Sequence, residues 1–242
     1  CKTVLNKLRE TGQLTTRGRF FAYSLALVED DEAAQQRELA ALKGQPDEYQ
    51  TWSWQAGVAA RRGQLHQTQA WVRKTLDLGA SSQFRGAAAG VATAAAINLA
   101  ILCANSTNRP ACDIRDLTRQ ALVFERSTFR VSESLVALAL NGWPAEAQAL
   151  ATELQQQAPQ DTRLNMLWLP LLQALQALQN QHPAQAIEHL RVAERCEAAA
   201  YFLPQYVRGL AWLQLNNVQA AAAEFEKIRK HPYIEPASPI YP

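Results

Sequence analysis

The chain has 242 residues, a formal net charge of +2 and only 19% charged side chains. That length exceeds what one compact core usually fills, so two domains or one extended array is expected. No basic stripe interleaved with aromatics marks a nucleic-acid surface. Ala, Leu and Gln dominate while β-branched residues are sparse, which lowers the cost of helix and points to an all-α chain.

The first predicted elements are Phe20 to Val28 and Glu32 to Leu42, a helical pair broken at Glu29-Asp30-Asp31 and closed by Gly44. Next, Asp47 caps a helix carrying Trp52 and Trp54, Gly63-Gln64 makes a turn, and a second helix carrying Ala70, Trp71 and Leu76 ends at Gly79. The acidic runs Glu29-Asp30-Asp31 and Asp47-Glu48 sit at helix boundaries, where carboxylates favour the positive end of the helix, so they read as caps rather than as acid–base catalysts.

Gly86 to Cys103 carries no charge. A membrane span needs about 20 predominantly apolar residues. This stretch is mostly Ala and Gly with Thr93 and Asn98 inside, which inserts poorly, so a buried, closely packed helix is expected. Gly86 to Ala104 pairs with Asp113 to Phe124 across a long connection. Cys103 and Cys112 flank that connection. They are read as two small buried thiols, the alternative being a disulfide that clips the loop.

From residue 128 onward a repeat emerges, with units at about 128–161, 167–200 and 202–235. In the last unit, Gln205 to Trp212 forms one helix, Asn216-Asn217 a polar turn and Ala220 to Ile228 a second helix before His231-Pro232. Gly209 lets the partner helix approach, Ala221 is the matching small residue, and Phe225 plugs the core one turn on. Ala174, Ala186, Leu190 and Ala193 stand in the same places 35 residues earlier. Ala147 and Leu154 repeat the pattern once more, with Gly142 in the turn, Pro159 as the stop and an excess near Thr162 to Asn165. Tetratricopeptide units recur at about 34 residues as helix–turn–helix. The expected fold is therefore all-α, a right-handed α–α superhelix of tetratricopeptide-like hairpins running through 1–242 as one array, with about six hairpins by their stop signals.

The stretches Leu167-Trp168-Leu169-Pro170, Ala174 to Leu178, Pro183 to Glu188, Tyr206 to Ala211, Ala222 to Ile228 and His231-Pro232 carry a family resemblance. They resemble the C-terminal tetratricopeptide region of bacterial eukaryotic-like serine/threonine protein kinases. A similar region follows winged-helix DNA-binding domains in some transcriptional regulators. The resemblance covers most of the chain and is strongest from Val131. In the kinases a catalytic domain and a membrane span precede these repeats, which implies a sensory, extracytoplasmic role in a membrane-anchored parent; the regulator alternative implies the cytoplasm. Cys1 in first place and the break at Ser238 to Pro242 are read as the cut ends of a longer chain, with a further helix expected after Pro239 and Tyr241.

No chemistry-bearing motif is present. Gly79, Gly86 and Gly90 make neither a dinucleotide fingerprint nor a phosphate loop, and the kinase triplets and the hydrolase elbow are missing. His182, His189 and Cys196 recur at seven-residue steps, about 10 Å apart along a helix, too far for one metal. No catalytic, cofactor-binding or metal-binding residue is therefore assigned, and an enzyme built from scattered polar residues is the remaining alternative to a non-catalytic interaction or sensor module. The candidate groove is an aromatic and apolar stripe on the first helices of the hairpins: Trp52, Trp168, Leu171, Leu175, Leu203, Tyr206 and Leu210. The plain reading of such a stripe is inter-repeat core. The sharper one is a groove for a protein or peptide segment, apolar or helical because no Lys and Asn clamp for a terminal carboxylate occupies these positions.

Overall fold

The computed structural model describes residues 2–79, 81–103, 114–195 and 201–230. Among them every regular element is helical. The first five α-helices are α1 (Lys2–Glu10), α2 (Thr16–Val28), α3 (Glu32–Leu42), α4 (Glu48–Arg61) and α5 (Leu65–Leu78). The middle of the chain forms α6 (Arg85–Cys103), α7 (Arg115–Phe124), α8 (Thr128–Leu140) and α9 (Pro144–Gln157). A π-helical turn, Leu164–Trp168, leads into α10 (Leu169–Gln179), followed by α11 (Pro183–His189), α12 (Leu203–Gln214) and α13 (Val218–Arg229).

Five of the hairpins turn in the same way. Asp30, Gly63, Gly142, Gln181 and Asn216 each adopt a left-handed conformation, with φ between 55° and 87°. The next backbone N–H in each case bonds five residues back: Asp31 to Ala26, Gln64 to Ala59, Trp143 to Leu138, His182 to Ala177 and Asn217 to Trp212. That bond closes the end of one helix and reverses the chain into the next. In four of the five the new helix starts on a side-chain cap, as Asp31 accepts from Ala34 N–H and Asn217 from Ala220 N–H, or on a proline, as at Pro144 and Pro183; α5 starts at Leu65 with neither.

Two details of the termini differ from expectation. Asp47 precedes α4 but makes no side-chain cap bond; Thr16 of α2 donates to it instead at 2.6 Å. Gly79 ends α5 without a left-handed turn. A glycine is needed there because a Cβ would lie 2.7 Å from both Ala88 Cβ and Phe124 Cζ. The excess at Thr162 to Asn165 becomes the start of the π-helical turn, whose wider ring accommodates Pro170 one turn on.

The helices form two layers. Even-numbered helices stack on one another, α4 on α6, α6 on α8, α8 on α10 and α10 on α12, while each odd helix packs against its even neighbours. The core is correspondingly a chain of clusters. Leu5, Leu14 and Ala22 form the first. Tyr23, Leu27, Leu42, Trp54 and Val58 form the second, and Ala56, Val72 and Ala95 the third. The largest runs from Ala96 to Ile228. Helices α2, α4 and α6 each contribute to two successive clusters, so apolar surface is buried between neighbours rather than around one centre. At the N-terminal end the fully buried Glu38 joins three helices, held by Arg9 at 2.6 Å and Arg19 at 3.2 Å.

Helix α6 is long and apolar enough by composition to cross a membrane. Eleven of its residues are buried, and α4, α5, α7 and α8 pack against it, which is how a central core helix satisfies the same composition.

Candidate functional site

The aromatic stripe divides on burial. Trp168, Leu171, Leu175 and Leu203 belong to the largest cluster, Trp168 with 1% of its surface exposed. The groove expectation is therefore corrected for these four: they face neighbouring helices and have no surface to offer a ligand. Trp168 packs edge-on to Phe129 with ring centroids 6.0 Å apart. Tyr206 and Leu210 are half-buried against the same cluster, Tyr206 beside Phe225, and burial pushes the Tyr206 phenol up. Trp52 is also half-buried, its ring covered by the Lys74 ammonium 3.9 Å from the centroid. The seven residues do not form one groove.

The concave space lies elsewhere, on the layer of even-numbered helices. A cleft of about 550 Å³ is lined by α4, α6 and α8, by Thr68 and Thr75 of α5, and by Tyr201 ahead of α12. Its floor is α6. Gly86, Gly90, Ala94 and Asn98 follow one another at four-residue steps, so they share one face of the helix. Three small side chains keep that face flat, and burial deepens along it from exposed Gly86 to Asn98, which is 6% exposed. Tyr49, Gln50, Ser53 and Trp54 of α4 make one wall, and Phe129, Arg130 and Glu133 of α8 the other.

The α8 wall carries a charged network. Glu133, 2% exposed, accepts from Thr93 at 2.7 Å and from Arg130 at 2.7 Å. Arg130 also pairs with Glu125 at 3.5 Å. Burial alone would push the Arg130 guanidinium down, but the charge of Glu133 and the hydrogen bond to it carry it above its ordinary value, so it stays charged. Its far end lies over Gly90, where a Cβ would stand 2.8 Å from Nη2. Asn98 differs from its neighbours. Its amide makes no hydrogen bond among the described residues, although it lines the cleft and is nearly fully buried. Its amide atoms are not sealed off, so the residual exposure of Asn98 opens into the cleft. Tyr201, on the cleft lining, and Phe202, in the core, are consecutive left-handed residues at φ 53° and 60°. Such backbone is strained for non-glycine residues and is held by its surroundings.

Sequence reasoning missed this site because Thr93 and Asn98 served only as arguments against a membrane span, and Arg130 and Glu133 lie in no motif. The step-of-four strip of small residues ending in an amide was the available signal. Cys103 corrects another expectation: it is disulfide-bonded rather than a free buried thiol. Cys1, Cys112 and Cys196 lie outside the described residues, as do the connection from Ala104 to Asp113 and the expected stop at Pro232 and continuation past Pro239. Among the described residues no group of three or more His, Cys, Asp or Glu is placed to hold a metal ion.

No family model matches the chain, and no match to it was found among curated proteins or solved structures.

Proposed function

We propose that the chain is a non-catalytic binding module, a right-handed superhelix of tetratricopeptide-like hairpins that serves as the sensor or interaction region of a larger bacterial signalling protein. A membrane-anchored serine/threonine kinase is the parent the sequence resemblance favours. The left-handed turn residues support the repeat reading: Gly142 to Gln181 is 39 residues and Gln181 to Asn216 is 35, close to the unit length of about 34. The even-on-even stacking has the form expected when each hairpin buries its apolar face only on its neighbours.

The observation that carries the functional reading is the cleft among α4, α6 and α8, a concave surface that also takes in Thr68 and Thr75 of α5. Stacked repeats present such a surface to partners. The Cys103 disulfide favours an oxidising compartment, and with it the extracytoplasmic region of a kinase over the cytoplasmic sensor half of a winged-helix regulator.

Photo-reactive residues placed one at a time at Ala87, exposed on the cleft floor, and at Gln155, exposed on α9, test this in the parent protein in its own cells. Crosslinks to a protein are expected from Ala87 and not from Gln155. The reverse pattern removes the even-helix layer as the binding surface.

A further inference from the structure

We propose that the cleft among α4, α6 and α8 binds a small, uncharged, planar molecule carrying a hydrogen-bond donor and acceptor side by side on one edge, as a lactam, a primary carboxamide or a nucleobase does. This deepens the sensor reading above and rests on it: the molecule takes the buried Asn98 end of the cleft, and the protein partner meets the exposed Ala87 end. Four features define the ligand. The first is size: about 550 Å³ lies within the range of small-molecule sites. The second is shape. Gly86, Gly90 and Ala94 give α6 a flat face that descends to Asn98 over about 18 Å, at 1.5 Å per residue, and the rings of Tyr49 and Phe129 flank it. A flat ring fits such a slot, and aromatic walls favour it.

The third feature is the deep end. The Asn98 side chain holds one carbonyl acceptor and one NH₂ donor next to each other, both without partners among the described residues. Its complement is a donor and acceptor on the same side of a ligand, the pattern by which an amide side chain reads a base edge. A trans peptide group has its N–H and C=O on opposite sides, so one peptide unit of a polypeptide does not satisfy Asn98, whereas a lactam does. The fourth is charge. Arg130 has two carboxylates beside it, Glu133 at 2.7 Å and Glu125 at 3.5 Å, so the α8 wall carries no excess of positive charge to select an anion, although the Arg130 Nε donor makes no hydrogen bond among the described residues.

The test uses the whole chain and four probes: 2-pyridone, its N-methyl derivative, benzamide and benzoate. Binding is read by calorimetry and by the fluorescence of the protein's tryptophans. 2-Pyridone and benzamide are expected to bind. N-methylation, which removes the donor, and benzoate, which adds a charge, are each expected to weaken binding by about tenfold or more, the factor that 1.4 kcal/mol represents. Asn98→Leu is expected to lose binding to a similar extent while melting close to the parent temperature, because the amide faces the cleft and has no hydrogen bond to lose among the described residues; a merely structural asparagine would lower the melting point and leave binding unchanged. Ala94→Phe fills the slot and is expected to abolish binding. Should Asn98→Leu not fold, the methylated probe makes the same comparison on the unaltered protein. The proposal is overturned if neither amide probe binds, if N-methylation has no effect, or if benzoate binds as well as benzamide. Failure here with crosslinks from Ala87 intact removes the ligand class alone; loss of the crosslinks removes the broader reading.

Discussion

The ring of Phe225 lies directly on the backbone of Gly209, so that a methyl group on that glycine would stand 2.6 Å from Phe225 Cζ. The two residues join α12 to α13, and Ala221, 1% exposed, fills the same crossing. Replacing Gly209 by Leu forces the ring out of its site. Overpacking of this kind costs about 1–3 kcal/mol, and Ala186→Leu, at the fully buried counterpart in α11, is expected to cost a similar amount. Urea unfolding checks both. An unchanged midpoint at both positions contradicts the packing described for these two hairpins.

How much of this was legible beforehand depended on what each residue had to do. The small residues Ala147, Ala174, Ala186, Gly209 and Ala221 could be read because close helix crossings tolerate little else, and all five are buried. Gly63 and Gly142 marked their turns because glycine takes the left-handed conformation without cost. Gln181 occupies the same conformation with nothing in its side chain to announce it. There the repeat register rather than the residue fixes the geometry. The groove was misplaced for a related reason. Helical periodicity says which residues share a face, but it does not tell Trp168, in the π-helical turn that leads into α10, from Asn98 on α6; only packing decides which face is covered.

Acid should weaken the last hairpin through Glu224. Burial pushes its carboxyl up, but hydrogen bonds and charge from Arg208 and Lys227 hold it below the ordinary value of 4.5. A group depressed on folding contributes stability that is complete above its unfolded value and is lost as pH falls through the folded one. Glu224→Gln is therefore expected to cost about 1–3 kcal/mol near neutrality, the range for a hydrogen bond to a charged group. The gap to the parent protein should close as pH falls below 4.5. A gap independent of pH would show that the pair contributes packing alone.

At the alkaline end Tyr23 acts with the opposite sign. Its burial outweighs the nearby charges of Arg61 and Arg62 and raises the phenol from 10.0 to about 12. The unfolded chain then releases this proton first, so stability is complete below pH 10.0 and declines between there and about 12. Ultraviolet difference titration is expected to show late tyrosine ionisation, and Tyr23→Phe is expected to remove the Tyr23 share of it, leaving that of Tyr206, and to flatten the decline.

Reduction should loosen the chain at the end of α6. Cys103 is buried and disulfide-bonded, and a native disulfide typically contributes about 2–4 kcal/mol. Thermal melts with and without dithiothreitol are expected to differ, and Cys103→Ser is expected to melt with the reduced protein and be insensitive to the reagent. Equal melting of the oxidised and reduced parent would assign the bond no stabilising role.

Two tryptophans of unequal burial, Trp168 and Trp52, separate core from surface. Trp168 is enclosed by the largest cluster and backs Phe129 on the cleft wall. Its truncation to Ala leaves a large cavity and is expected to cost about 3–5 kcal/mol. Trp52 is half-buried, with the Lys74 ammonium 3.9 Å from its ring centroid, and it donates a hydrogen bond to Glu48. A partly exposed cation–π pair contributes about 0.5–1 kcal/mol, so Trp52→Ala is expected to cost little more than that and the lost partial burial. Guanidinium unfolding of the two variants should therefore separate clearly at unchanged slope. Near-equal midpoints would place Trp168 at the surface and restore the aromatic stripe as a groove. A large gap leaves the cleft over α6 as the surface on which to look for the ligand. Trp168→Ala should then disturb that ligand only indirectly, through the position of Phe129.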